Sequence, residues 1–279
     1  MNIGNPVYRV IPHVLLCGFI VCMFLPLYLA LVAASHEGGA LMHAPIPLLP
    51  GRAFITNIMT VLNEGLSATG GEPVARMLLN SLGMAVMIAI GKVLLALLSA
   101  FALVYFAFPF KRVCFILIFM TLMLPVEVRI VPTFQVVASI GWLNSFAGLT
   151  LPLMASATAT FLFRQFFKTI PSELVDAAKM DGAGPLSFFL DILIPLSKPQ
   201  IAALFIILFV YGWNQYLWPL VVTTNTEMAT IVMGIRYLAG VADQIPQWHY
   251  IMTVALIALT PPCILVITLQ RWFEQGLRN

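Results

Sequence analysis

The sequence predicts an all-α integral membrane protein with six transmembrane helices and both termini on the cytoplasmic side. Three observations carry that prediction. Hydrophobic residues make up 61% of the 279 residues and charged residues only 9%, with a mean hydropathy of +0.99. A soluble domain carries about 25% charged residues, so this chain cannot coat a water-facing surface. Six apolar runs are long enough to cross a bilayer as helices, which takes about 20 residues each. Lysine and arginine are divided unequally among the segments that join those runs.

The runs are, in order, Ile11 to Ala34, Ala75 to Phe106, Val113 to Val131, Phe146 to Phe166, Pro199 to Val222 and Tyr250 to Trp272. The apolar core of the first is too long for a signal peptide and no convincing A-x-A site follows it, so it stays as a helix. The second is longer than a span requires and tilts or extends beyond the membrane. Pro26, Pro125, Pro152, Pro219 and Pro261 lie inside these runs, where neighbouring helices can satisfy the freed carbonyls.

Orientation follows from the basic residues. With the N-terminus inside, the inner segments hold Arg9, Lys111, Arg112, Arg164, Lys168, Lys179, Lys198, Arg271 and Arg278. The outer segments hold Arg52, Arg76, Arg129 and Arg236, and Lys92 falls within the second helix. The excess lies inside, as the positive-inside rule requires. The whole chain, 1–279, then reads as one transmembrane domain. An irregular external loop covers 35–74, rich in glycine and proline, and a second covers 223–249. One long cytoplasmic loop covers 168–198.

That loop reads Pro171-Ser-Glu-Leu-Val-Asp-Ala-Ala-Lys-Met-Asp-Gly-Ala-Gly-Pro185. Ser172 is placed to cap a helix, and Glu173 suits the positive end of its dipole. Leu174, Ala177 and Ala178 recur at i, i+3 and i+4 and mark a narrow apolar face. Asp181-Gly182 supplies a stop, Gly184-Pro185 a turn, and a second short element with Phe188, Phe189, Ile192 and Leu193 ends at Pro195. Paired alanines let a helix seat its backbone close to another surface. The pattern fits either a helix gripped by a partner's groove or an amphipathic connector on lipid headgroups.

The residues themselves carry a resemblance. Asp176-Ala177-Ala178-x-x-Asp181-Gly182, nine residues, then Ile192-x-Ile194-Pro195 resembles the EAA loop of ABC-importer membrane subunits, with Asp176 where that family has Glu and Ile194 where it has Leu. Trp213-Asn214, Ile170-Pro171 and the segments Leu122–Ile130, Gly148–Phe167 and Tyr211–Pro219 extend the likeness over nearly the whole chain. It is similar to the MalG-type branch of permeases, and within it to those that import sn-glycerol-3-phosphate or related glycerophosphodiesters. The resemblance implies the type I importer permease fold in a bacterial inner membrane, with 35–74 and 223–249 periplasmic. It implies a second, homologous permease subunit, two ATP-binding subunits that hold ATP and Mg, and a periplasmic solute-binding protein. It also implies that Glu173, Asp176, Ala177, Ala178, Asp181, Gly182, Ile192 and Pro195 form the coupling loop on the ATPase.

The chain has no engine of its own. Gly91-Lys92 is followed by Val93, and Val86 stands where a phosphate-binding loop needs its first glycine, so no cradle for ATP phosphates can be built. His13, His36, His43 and His249 show no metal-ligand spacing, and no G-x-S-x-G elbow occurs. Cys17, Cys22, Cys114 and Cys263 lie in apolar runs and read as packing groups. A formal charge of +3 without a basic stripe argues against nucleic acid. Energy comes from a gradient or from another polypeptide, and the loop favours the latter.

Four polar residues at membrane depth are candidates for the translocation pathway. An ammonium at Lys92 needs water, a partner or a purpose: it either draws an anionic solute or is a structural cation of the bundle. Glu127 and Arg129, two apart, do not share a helical face; they reach a central cavity or snorkel to the outer interface. Asn214 must find hydrogen bonds in the protein, as interhelical glue or as a contact to solute or gate. Arg164 and Lys168 retain charge on the inner side, with ATPase contact the alternative. Rival readings are a permease for another sugar or polyol, a gradient-driven secondary transporter, a membrane-embedded enzyme and a scaffold.

Overall fold

In the computed structural model the apolar runs become helices, because a chain in hydrocarbon must satisfy its own backbone N–H and C=O groups. The structure describes residues 6–41, 45, 47–66, 69–121, 126–240 and 246–278, with side chains at all of these except 6–9, 126–127 and 272–278. Among the described residues there is no strand. The helices are α1 (Pro6–Ala34), α2 (Phe54–Asn63), α3 (Val74–Tyr105), α4 (Lys111–Met120), α5 (Val126–Ser139), α6 (Phe146–Thr150), α7 (Ala157–Thr169), α8 (Ser172–Met180), α9 (Pro185–Leu196), α10 (Lys198–Trp213), α11 (Leu217–Val222), α12 (Ile231–Ala239) and α13 (Trp248–Arg278).

Three of these, by length and composition, can cross a membrane unaided: the stretches Val10–Ala34, Val74–Tyr105 and Trp248–Arg271. Two bent pairs raise the number to five if each is one span. Phe146–Leu153 meets α7 at 47°, and α9 meets α10 at 74°. The first bend falls after Pro152, which sits in a 3-10 turn over Leu151–Leu153. Ser156 then starts α7 afresh, its hydroxyl accepting from the Ala159 N–H at 3.3 Å. The expected third run does not form one helix: it is divided between α4 and α5, and Pro125 lies outside the described residues. The expected fifth run also breaks, between α10 and α11.

The chain folds into two compact units, Met1–Arg76 with Gly234–Thr260, and Met77–Met233 with Pro261–Asn279. In the first, the most apolar stretch of α1 has no buried residue. An apolar face of that size needs lipid or another protein against it. The end of α1 is tied down by polar groups. Asn57 on α2 donates to the carbonyls of Ala34 and His36 at 2.8 and 2.9 Å, satisfying acceptors that a helix end leaves open. Ser35 Oγ accepts from the Gly51 N–H at 2.7 Å. The segment 35–74, expected to be irregular, thus contains α2 and a 3-10 turn at Gly38–Leu41.

In the second unit a core forms from Met84 and Ile88 of α3, Val137 of α5, Leu149 and Leu153, and Trp218 and Val222 of α11. Trp218 is 2% exposed, and its Nε1–H donates to the carbonyls of Gly148 and Leu149, both at 3.2 Å. It is a core pin of this unit. The four cysteines are free, and none is buried within this chain.

Candidate functional site

The cytoplasmic-loop motif folds as two consecutive helical pieces, α8 and α9, whose joint is built by its glycines. Gly182 has φ +74°, a left-handed conformation that costs any residue with a Cβ about 1–2 kcal/mol. Its N–H donates to the Lys179 carbonyl at 3.1 Å, and the Ala183 N–H donates to the Ala178 carbonyl at 2.9 Å. These two bonds make the Schellman closure of a helix C-terminus, so Asp181-Gly182 stops α8 for a defined reason. At the other end the helix begins at Ser172 itself, with Pro171 at the cap position and no side-chain cap bond. The expected Ser172 cap is displaced by one residue, because a proline φ of −58° already suits helix entry.

The two alanines part company. Ala178 is the buried residue of α8, at 5% exposure, whereas Ala177 and Leu174 are exposed. The expected single apolar face is therefore two surfaces: one residue seated inward, and a small apolar face turned outward. Glu173, Asp176 and Asp181 are exposed around it, and Asp176 pairs with Lys179 at 3.5 Å in an open setting. Such a pair contributes little. Outward apolar groups continue with Met180 and Leu186.

α9 is anchored where α8 is not. Residues Phe188–Leu193 form a π-helical turn, which sets Phe188 and Phe189 side by side on the bundle. Phe189 packs on Phe101 of α3 with ring centroids 4.8 Å apart, and Phe188 meets Tyr105 edge-on at 5.2 Å. Tyr105 Oη in turn donates to the Phe167 carbonyl of α7 at 3.2 Å. Ile192 is half-buried and Pro195 is exposed. Pro195 does not end α9: the break comes at Ser197, whose hydroxyl donates to the Leu193 carbonyl at 2.6 Å.

Of the candidate pathway residues whose side chains are described, Lys92 is the buried one, at 6% exposure. Its ammonium lies 3.8 Å from the centroid of the Tyr211 ring on α10. The helices can come so near because Gly212 faces Ala85: a Cβ at 212 would lie 3.0 Å from the Ala85 Cα. Among the described residues Lys92 has no ion pair. Arg129 is exposed on α5. The Glu127 side chain lies outside the described residues.

Asn214 departs from expectation. It is exposed and forms the C-cap of α10, with φ −83° and ψ 6°; ending a helix there removes the need to bury its amide. The neighbouring Gln215 donates to the Tyr211 carbonyl at 3.1 Å. The fifth run thus breaks at Asn214–Tyr216, one turn past the Lys92–Tyr211 contact.

Sequence reasoning missed the polar clamps of the second unit. Asn80 donates to the carbonyls of Glu227 and Ala229 at 2.8 and 3.1 Å, and Ser81 Oγ accepts from the Ile231 N–H at 2.7 Å. Asn144, at φ 53°, accepts through Oδ1 from the N–H groups of Thr224 and Asn225 at 2.7 and 3.0 Å. The available signal was an asparagine in a turn, since asparagine tolerates that backbone region.

Residues 92–279 match the family model described as "Binding-protein-dependent transport system inner membrane component". The sn-glycerol-3-phosphate transport system permease protein UgpE of Rhizobium meliloti is 49% identical over 98% of this chain and 97% of its own length. That of Brucella melitensis is 50% identical over the same shares, and one from Yersinia pestis 49% identical over 95% of this chain and 94% of its own. Among solved structures, a bacterial ABC transporter involved in import of the acidic polysaccharide alginate aligns with a TM-score of 0.83 at 20% identity, covering 98% of this chain and 99% of that one. The chain belongs to the inner membrane components of binding-protein-dependent transport systems, the permease subunits of ABC importers.

Proposed function

We propose that the chain forms half of the translocation pathway of an ATP-driven importer for sn-glycerol-3-phosphate or related glycerophosphodiesters. The observation that carries the cargo is the 49% identity, over 98% of the chain, with a permease named for sn-glycerol-3-phosphate transport. A second, homologous permease completes the pathway, a periplasmic binding protein delivers solute, and two ATPase subunits hold ATP and Mg. The chain crosses the membrane six times with both termini cytoplasmic, using α4 with α5 and α10 with α11 as broken spans. Residues 1–279 then form one permease domain, with 168–198 in the cytoplasm and 35–74 and 223–249 in the periplasm.

In this reading α8 seats in a groove of the ATPase. Leu174 and Ala177 make the contact, with Glu173, Asp176 and Asp181 around them, while Ala178, Gly182, Ile192 and Pro195 hold the shape of the loop. When ATP draws the ATPase pair together, α8 moves with its groove and α9 passes the displacement to α3 and α7. The bundle alternates between outward- and inward-facing states, and a docked lever is enough to bias two states of similar energy. Lys92 supplies the charge that attracts an anionic solute, supported by its burial without a carboxylate partner among the described residues. Arg129 offers a guanidinium suited to phosphate, and Glu127 and Asn214 border the same pathway.

The test is reconstitution of the chain with its partner permease, ATPase and binding protein in vesicles, measuring ATP-dependent uptake of labelled sn-glycerol-3-phosphate. Uptake by the chain alone on an ion gradient would replace this reading with a secondary transporter. ATP-dependent uptake of a neutral sugar or polyol, without the phosphate ester, would move the cargo to that class.

A further inference from the structure

A second cationic feature of the same unit lies apart from Lys92. Lys111 and Arg112 at the start of α4 and Arg164 and Lys168 at the end of α7 line one cavity of about 480 Å³, floored by Phe115 and Ile116. Among the described residues no acidic side chain lines it. Lys111 is committed to structure, donating to the carbonyls of Val104 and Phe106 at 3.1 and 2.9 Å at the end of α3. The other three are not: among the described residues Arg112, Arg164 and Lys168 make no ion pair. Arg164 lies over the Phe115 ring, its guanidinium carbon 3.9 Å from the centroid. Its Nε is buried with no acceptor.

An orphaned guanidinium donor is costly, because a buried polar group without a partner loses its hydration and gains nothing. Stacking satisfies the face of the guanidinium but none of its edge donors. The Nε itself is closed to solvent, so a ligand meets the site through the cations that line the cavity, and a phosphate ester, whose oxygens accept in pairs from arginine, is the anion they suit. The surroundings say which kind of ester. Ile116 is both a cavity wall and 54% exposed, and Val113, Leu117 and Met120 continue an open apolar strip along α4. A free phosphate has no use for that strip. An acyl chain does. Basic pockets at the membrane surface are where anionic headgroups are held.

We propose that this cavity binds the phosphate of an anionic phospholipid, with Arg112, Arg164 and Lys168 on the headgroup and the acyl chains along α4. The site holds this corner of the bundle, where α4, α7 and the end of α3 meet, to the membrane surface. It rests on the chain being a membrane protein and not on the cargo.

The test uses the full chain purified in non-ionic detergent, with lipid retention read by native mass spectrometry. Phosphatidylglycerol is expected to bind at concentrations at least tenfold lower than phosphatidylcholine. The double variant R112Q/R164Q should lose that preference while its size-exclusion profile stays normal. Should the variant fail to fold, wild-type chain in the assembled transporter is treated with a photoreactive phosphatidylglycerol, which is expected to label the α4 peptide. Equal retention of the two lipids by wild type overturns the proposal. So does displacement of phosphatidylglycerol by sub-millimolar inorganic phosphate, which would assign the cavity to a free anion. Labelling of the isolated chain but not of the assembled transporter would mean that another subunit covers the cavity, and overturns it as well.

Discussion

Phe189 rests 4.8 Å from Phe101, ring centroid to centroid, and joins the motif-bearing loop to the long helix α3. Both rings are buried. Whatever moves α9 therefore presses on α3 through a packed contact, not through a flexible tether. Phe189→Ala removes that contact. In the reconstituted transporter it should lower uptake about tenfold, equivalent to ~1.4 kcal/mol, while ATP hydrolysis continues. Unchanged uptake would show that α9 transmits nothing through this pair.

Exposure separates the two alanines of the motif. Ala177→Arg adds a long side chain to a face already in solvent, so the purified chain should keep its melting temperature and lose ATPase association in pull-down. Ala178→Arg forces a charge into a site 5% exposed and should lower the melting temperature and yield as well. Equal behaviour of the two variants would contradict the division of the α8 surface.

Gly182 is strained for any other residue by its φ of +74° alone, since no atom crowds the place where a Cβ would stand. Gly182→Ala should cost about 1 kcal/mol, read as roughly fivefold weaker ATPase binding. Gly182→Asn should lose less, because asparagine enters the left-handed region more readily. A stronger loss with asparagine than with alanine would argue for a side-chain clash instead.

The Lys92 ammonium sits on the Tyr211 ring, and a desolvated contact of this kind contributes about 2 kcal/mol. An ammonium at mid-span costs ~2.5–3.5 kcal/mol on insertion scales, so the ring offsets most of its burial. Tyr211→Leu removes the ring and should lower thermal stability in detergent. Lys92→Met should leave assembly intact and reduce uptake of the anionic cargo. Wild-type uptake by Lys92→Met would reduce Lys92 to a structural cation.

Several features were legible in the residues. The Asp181-Gly182 stop, the two-piece loop and the long first, second and last apolar helices follow from local chemistry, and the structure carries each of them. Pro152 was expected to be tolerated inside one continuous span, but the chain bends by 47° after it. Other readings went astray for one physical cause. Asn214 was expected to face protein because its run is apolar, but the helix stops there and the amide stays outside. Trp218 lies in an apolar run that does not record its partner, and two carbonyls on a chain segment 69 and 70 residues away claim its N–H. The Asn80, Ser81 and Asn144 clamps depend on the same kind of distant partner.

What the sequence by itself determined is that this chain lives in a bilayer and carries one structured loop with a helix stop in its middle. Hydrophobic length, charge and turn chemistry are local properties that add along a chain. Only the tertiary structure decided which alanine turns inward, which aromatic ring receives Lys92 and which arginine is left with a donor and no acceptor. Those outcomes depend on how far each helix is rotated about its own axis. That rotation is set by packing against residues far away in the chain, which periodicity along one segment does not record.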